Sequence, residues 1–416
     1  MGMFIVEGRH SLRGTLRVNG AKNSALKLMA AALLGQGRFI IDDVPQITDV
    51  FTMASVLEGL GVRTELRNNR LELLVSSLQG TVPEESAKSM RASVQVIGPL
   101  LARLGWVKVV MPGGCAIGTR PLDLHLSGLR RMGAEIEVTD KFIMARAKRL
   151  HGADIKFRYP SVGATENIMM AATLAKGDTI IRNAAREPEI EDIQDFLNKM
   201  GACIEGAGTS TIKISGVGGL GSADGNVIPD RIEAGTYLLA FLLTGGSGTL
   251  TNVRPEHLVS LLDVMRRMGA VVEAQGHSLT VEAPAEIKPF RIFTGPHPGF
   301  PTDLQPQIAV AATQAQGVSV LIEAVFDQRF GYTSELRKLG ADFKIRGKEL
   351  KVYGPTPLLG AKLHASDLRA GAALVLAALA AEGQTIVGGI EHIDRGYESM
   401  EEKLRQLGAK IVRVPD

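Results

Sequence analysis

The sequence predicts an α/β architecture of two domains, each built from three repeated units of about seventy residues. Its 416 residues exceed what one hydrophobic core usually organises. A helix ending in Leu or Met, then Gly, then a strand recurs six times, as EGLGVRTE, RRMGAEIEV, NKMGACIEG, RRMGAVVEA, RKLGADFKI and RQLGAKIVR. The glycines are Gly61, Gly133, Gly201, Gly269, Gly340 and Gly408, spaced by 68 to 72 residues. Each supplies the left-handed residue at which a helix stops. A second helix repeats in the same frame: ALKLMAAALLGQG, VQVIGPLLARLG, NIMMAATLAKG, TYLLAFLLTGGSG, QIAVAATQAQG and GAALVLAALAAEG. These six are apolar nearly all round and are expected to be buried on every side, whereas the helices before the first glycine set are amphipathic and cover them. The opening stretch MGMFIVEGRHSLRG reads as a strand. Grouping the units three and three assigns residues 22–228 to an N-terminal domain and residues 1–21 plus 229–416 to a C-terminal one. The chain is expected to cross near Pro229, with the active site in the cleft between the domains.

Composition narrows the function classes. Hydrophobic residues make up 45% of the chain and aromatics 5%, so the core is aliphatic, with Trp106 as the single tryptophan. Charged residues at 22% give an ordinary soluble surface. A formal charge of +3 without a basic run argues against a nucleic-acid partner but suits a site that collects small anions. Residues 370–381 form an apolar stretch far shorter than the roughly 20 residues a membrane span needs. The start has neither the apolar core nor the cleavage site of a secretory signal, so a cytosolic location and no membrane contact are expected. Two cysteines without CxxC spacing and eight histidines without an HExxH pair predict no disulfide scaffold and no metal. Gly216, Gly218 and Gly221 satisfy G-x-G-x-x-G after a strand, but Ser-Ala-Asp-Gly-Asn and Pro229 follow instead of a helix. The segment reads as a turn and not as a dinucleotide site.

Chemistry-bearing residues gather where the buried helices begin. Lys22 and Asn23 open the first, Arg91 the second, Asp303 the fifth, and Asp367 with Arg369 the sixth. Helix starts present free N–H groups and a positive dipole end, so several of them with Lys and Arg form a trap for phosphates and carboxylates. Cys115 lies in the Gly-rich, Pro-bounded segment PGGCAIGTRP, which reads as a surface loop. Nearby Arg120 and an anion-attracting site lower a thiol pKa, giving a proton donor or a nucleophile. Cys203, inside GACIEG at a repeat junction, reads as structural. Asp303 follows Pro301 and Thr302 and sits in the first turn of a helix, where a carboxylate suits a base; a capping role is the alternative.

Five motifs in order, NGAKNSALK, PGGCAIGTRPLDLH, FPTDLQPQ, SDLRAG and HIDRGYE, carry a resemblance across essentially the whole length to the enolpyruvyl transferases. They are similar to the branch of that family that acts on UDP-N-acetylglucosamine. The resemblance implies two inside-out α/β barrel domains and transfer of the enolpyruvyl group of phosphoenolpyruvate to the sugar 3-hydroxyl by addition and elimination, without a cofactor. It implies that Asp303 deprotonates the hydroxyl, that Cys115 protonates or attacks phosphoenolpyruvate, and that Asp367 orients groups around the intermediate. Lys22, Arg120 and Arg395 would hold the donor phosphate and Arg329, Arg369 and Arg395 its carboxylate, with Asn23 also among the donor-binding residues. The nucleotide sugar would meet Arg91, Arg120, Pro121, Leu122, Asp123, Leu124, Ser161, Val162, Gly163, Asp303 and Val325. Some members carry Lys where this chain has Tyr159. His125, Glu187, Glu189, Arg231 and Glu233 match family motifs but read as structural support. The partners expected are the two small-molecule substrates, with no obligate protein partner. The alternatives are an enolpyruvylshikimate phosphate synthase, against which the cysteine loop argues, and a non-catalytic nucleotide-sugar sensor, against which the retained donor residues argue. A terminal-phosphate cyclase would use related units but needs a histidine nucleophile.

Overall fold

The computed structural model describes residues 2–82, 91–111 and 122–415, and at residues 91–93 the backbone alone. The described residues divide into two compact units: one gathers the chain up to Asn19 and from Pro229 onward, the other runs from Gly20 to Ile228.

In the Gly20 to Ile228 unit, Gly37–Asp42 pairs antiparallel with Arg70–Val75, which in turn pairs with Arg63–Arg67. On its other edge Gly37–Asp42 runs parallel to Asp224–Asn226, so the last strand of the unit joins its first sheet. Trp106–Val110, Phe142–Arg146 and Glu135–Val138 form the second sheet. The third places Asp178–Arg182 parallel to Asp154–Lys156 and antiparallel to Thr211–Ser215. The other unit repeats the plan with help from the N-terminal segment. Arg13–Arg17 runs parallel to Ser247–Thr251 in one sheet, and Gly2–Glu7 is inserted between Gln384–Gly388 and Lys410–Pro415 in another. Arg291–Phe293, Gly317–Ile322, Glu349–Gly354 and Asp342–Arg346 complete the set. Both units are therefore α/β, with mixed sheets and helices.

The repeated glycines act as the sequence requires. All six have φ between +93° and +103°. At each, the glycine N–H bonds the carbonyl three residues back and the next N–H bonds the carbonyl five back, as in Gly269 to Arg266 and Ala270 to Met265. That double closure satisfies two of the helix's terminal carbonyls and turns the chain into the following strand. The second helix set forms the two cores. Every residue of Gln305–Thr313 is buried, as are all but one of Leu368–Ala380 and Arg231–Leu243.

One helix of this set departs from all-round burial. Ile97–Leu104 is buried through Leu101 but half-exposed beyond it. The cause is Arg103, whose Nη1 donates to the carbonyls of Leu33 and Gly35 and so stops the preceding repeat's helix end. Cys203 also departs from expectation: it is exposed on the outer side of the Cys203–Glu205 strand, whose buried residue is Ile204. The stretch around Gly216, Gly218 and Gly221 connects Thr211–Ser215 to Asp224–Asn226 without a helix. No helix among the described residues is long and apolar enough to cross a membrane.

Candidate active site

In the unit that begins at Pro229, three predicted residues meet. Asp303 lies in a 3-10 turn, Thr302–Leu304, that leads into the Gln305–Thr313 helix. Arg369 stands in the first turn of Leu368–Ala380 and turns its guanidinium back onto Asp303 Oδ2, with Nε at 3.1 Å and Nη2 at 2.9 Å. Arg329 reaches the other carboxylate oxygen, Oδ1, at 3.4 Å and donates to the Thr302 carbonyl through Nε and Nη2. Both arginines are almost fully buried while the Asp303 side chain keeps 28% of its surface. One carboxylate thus fixes two desolvated guanidiniums and remains reachable. Such charge-assisted pairs are short, directional and strong for hydrogen bonds.

Burial works to lower the Arg369 pKa, but Asp303, Tyr397 and Asp230 outweigh it and push the pKa up, so the guanidinium stays charged. Asp367 caps its helix: Oδ1 accepts from the N–H groups of Arg369 and Ala370 at 2.9 and 3.0 Å. That geometry orients Arg369 from the backbone side. Val325 belongs to a segment held by Glu323, whose Oε1 accepts from the Val325 and Phe326 N–H groups and whose Oε2 accepts from the Thr302 hydroxyl. Arg395 lies half-buried in the turn after the 3-10 helix Ile390–His392.

In the Gly20 to Ile228 unit, Lys22 and Asn23 open the Lys22–Ala31 helix, and Lys22 Nζ pairs with Asp49 Oδ2 at 2.6 Å. Arg91 opens the 3-10 segment Arg91–Val96, which continues as Ile97–Leu104. Leu122 precedes the Asp123–Arg131 helix, which contains Asp123 and Leu124, and Asp123 pairs with Arg158 at 2.7 Å. Ser161 caps Val162–Ala172, its side chain accepting from the Ala164 N–H, so Ser161, Val162 and Gly163 form a helix start. Tyr159, immediately before it, is 40% exposed. Cys115, Arg120 and Pro121 lie outside the described residues.

These helix starts share a buried support that sequence reasoning missed. Glu166 Oε2 receives Lys27 Nζ at 2.9 Å and Gln95 Nε2 at 3.0 Å. Lys27 also reaches the Asn23 carbonyl, and Gln95 Nε2 the Gly163 carbonyl, so one carboxylate ties together the first turns at Lys22, Arg91 and Ser161. Beside it Asn167 Oδ1 accepts from the Gly98 N–H, and Asn167 Nδ2 contacts His125 Nδ1 at 3.2 Å, drawing in the Asp123 helix. Burial pushes the Glu166 pKa up to about 7, with Lys27 opposing and Glu189 and Glu187 adding to the rise. The signal was available: Thr-Glu-Asn interrupts an otherwise apolar helix. His125, Glu189 and Glu233 are buried, as their reading as support requires; Glu233 accepts from the Asn19 N–H at 2.7 Å and pairs with Lys403 at 2.6 Å. No cluster of three potential metal ligands occurs among the described residues.

A family model described as EPSP synthase (3-phosphoshikimate 1-carboxyvinyltransferase) matches residues 6–404. The crystal structure of the enolpyruvyl transferase NikO from Streptomyces tendae superposes with a TM-score of 0.91 over 100% of this chain and 99% of that one, at 26% identity. An EPSP synthase from Acinetobacter baumannii, 18% identical with a TM-score of 0.76 and full coverage of both chains, shares the fold. The chain is thus of the enolpyruvyl transferase class. Two curated relatives are closer in sequence. The UDP-N-acetylglucosamine 1-carboxyvinyltransferase 1 of Caldanaerobacter subterraneus subsp. tengcongensis is 50% identical over 99% of this chain and 99% of its own length. The UDP-N-acetylglucosamine 1-carboxyvinyltransferase of Koribacter versatilis is 48% identical over 100% of this chain and 97% of its own length. Within its class, this chain belongs to the UDP-N-acetylglucosamine 1-carboxyvinyltransferase family.

Proposed function

We propose that this protein transfers the enolpyruvyl group of phosphoenolpyruvate to the 3-hydroxyl of UDP-N-acetylglucosamine and releases phosphate. The observation that carries the reading is the Asp303 carboxylate held by Arg329 and Arg369 in a chain about half identical to the curated transferases. A carboxylate that is both oriented and reachable suits a base for a sugar hydroxyl. As the oxygen attacks C2 of the donor, C3 takes a proton from the Cys115 thiol, giving a tetrahedral phosphoketal. Loss of phosphate from C2 together with a proton from C3, returned to the Cys115 thiolate, then restores the enol ether. Lys22, Arg120 and Arg395 are assigned to the phosphate, where cationic groups offset the charge that builds on the leaving group. Arg329 and Arg369, with Arg395, are assigned to the donor carboxylate, and Asp367 aims Arg369 from the helix cap.

For the nucleotide sugar the assigned groups are Arg91, Arg120, Pro121, Leu122, Asp123, Leu124, Ser161, Val162, Gly163, Asp303 and Val325. The reaction is placed in the cytoplasm as the first committed step of peptidoglycan synthesis, and so in cell-wall growth and division. A thiol activated for this chemistry is also open to fosfomycin, a phosphonate epoxide, which would alkylate Cys115. The test is to incubate the protein with both substrates and analyse the product by mass spectrometry and NMR. The reading requires an enolpyruvyl ether on the sugar 3-oxygen with one phosphate released per product. An unmodified nucleotide sugar after long incubation would overturn it.

A further inference from the structure

We infer that Tyr397, oriented by Thr236, is a positioning residue that sets Arg369, and hence the affinity of the site for the carboxylate of the donor; the inference rests on the donor role proposed above for Arg369. Tyr397 is fully buried, and its hydroxyl has three neighbours: Thr236 Oγ1 at 2.8 Å, Arg369 Nη1 at 3.3 Å and Gln307 Nε2 at 3.3 Å. Their roles follow from donor counting. Thr236 is buried in the Arg231–Leu243 helix and its hydroxyl donates to the Ile232 carbonyl at 2.8 Å, which spends its one hydrogen. Thr236 therefore accepts at Tyr397, and the phenol proton points at Thr236. The phenol oxygen then turns its lone pairs to Arg369 and Gln307, both of which can only donate there. Burial raises the Tyr397 pKa, so the proton stays in place through the working pH range and the direction of the chain does not reverse.

The consequence falls on the guanidinium. Arg369 spends Nε and one Nη2 hydrogen on Asp303 and one Nη1 hydrogen on Tyr397. Of its five N–H groups, one on each Nη nitrogen remains outside those bonds. Without the Tyr397 oxygen the Nη1 edge loses its only hydrogen-bond partner among the described residues, and the guanidinium keeps only its bonds to Asp303 and its place over the ring of residue 397, 5.7 Å from the ring centroid. Tyr397 also stands two residues after Arg395 in the same turn. On the far side of that turn Asp394 is gripped by both Nη nitrogens of Arg413, at 2.7 and 2.9 Å. One phenol thus ties the Arg395 turn to the Arg369 helix and to the Thr236 helix.

The experiment is steady-state kinetics on Tyr397→Phe, Thr236→Val, Thr236→Ser and Arg369→Lys, with thermal melts of each. Tyr397→Phe and Thr236→Val each raise KM for phosphoenolpyruvate about ten- to hundredfold, the size expected for loss of a buried hydrogen bond to a charged group, with kcat and KM for UDP-N-acetylglucosamine within about threefold. Thr236→Ser, which keeps the hydroxyl, restores the wild-type KM. Arg369→Lys tests the reading beneath the inference and raises the same KM. If Arg369→Lys raises it while Tyr397→Phe and Thr236→Val leave it unchanged, the positioning role is wrong and the reading of Arg369 stands. If Arg369→Lys leaves it unchanged, the donor role of Arg369 is itself wrong. Should Tyr397→Phe and Thr236→Val both unfold, or depress kcat and both KM values alike, Tyr397 is a packing residue and the inference is overturned.

Discussion

The buried carboxyl of Glu166 gives a measurable pH dependence. In the folded protein its pKa is pushed up to about 7 by burial, against the ordinary 4.5 of a glutamate, with Lys27 opposing and Glu187 and Glu189 reinforcing the rise. A group whose folded pKa is raised stabilises the fold fully below its unfolded pKa, and that contribution is lost as pH rises through the folded pKa. For Glu166 the window therefore runs from about pH 4.5 to about pH 7. At about 1.4 kcal/mol per pH unit the gap amounts to at most about 3.5 kcal/mol. The Glu166→Gln variant keeps the shape but cannot titrate, so the difference in unfolding free energy between wild type and variant isolates this one group. The probe is already in the right unit: Trp106, the single tryptophan, packs over Gly80 in the Gly20 to Ile228 unit and reports urea unfolding by fluorescence. Relative to Glu166→Gln, wild type is expected to lose up to about 2.5 kcal/mol between pH 5 and pH 8. A difference that stays flat or grows with pH would mean that Lys27 outweighs burial, and that the three helix starts are tied by a permanent ion pair.

Other perturbations probe the rest of the account. Asp303→Asn abolishes turnover but keeps UDP-N-acetylglucosamine binding by calorimetry within about tenfold, roughly 1.4 kcal/mol; because Arg329 and Arg369 then face a neutral amide, unfolding free energy also falls by about 1–3 kcal/mol. Gly98→Ala would bring a Cβ within 2.3 Å of Asn167 Oδ1 and 2.4 Å of the Asn167 carbonyl oxygen. Denaturant titration is expected to show a loss of about 1–3 kcal/mol. Cys115→Asp, still able to donate a proton, retains measurable transfer and resists fosfomycin, whereas Cys115→Ala loses transfer. In wild type, mass spectrometry shows one fosfomycin adduct on Cys115 even though Cys203 is exposed, because the epoxide needs an activated thiolate and not merely an accessible thiol.

What the sequence made legible follows from periodicity. Gly61 and its five repeats were readable because a helix that stops and reverses into a strand needs a positive φ, which glycine adopts at little cost. The Gln305–Thr313 and Leu368–Ala380 helices were readable because between the first turn and the last residue nothing polar breaks their surface. Asp303, Asp367, Arg369 and Lys22 were readable as helix-start groups, since local sequence fixes where helices begin. Their partners were not. Asp303 meets Arg369 across 66 residues, and Glu166 meets Gln95 across 71. Such contacts are set by how repeats stack, which no local pattern encodes. The outward turn of Ile97–Leu104 was likewise hidden, because Arg103 finds its carbonyl partners at Leu33 and Gly35 in a different repeat.

The central claim is the identity of the acceptor, and phosphate release from phosphoenolpyruvate tests it most directly. The protein is incubated with the donor and either UDP-N-acetylglucosamine or 3-phosphoshikimate, and inorganic phosphate is followed with time. Release with the nucleotide sugar alone, lost in Asp303→Asn, is the expected result. Release with 3-phosphoshikimate and none with UDP-N-acetylglucosamine would contradict it and move the chain to the other branch of its class.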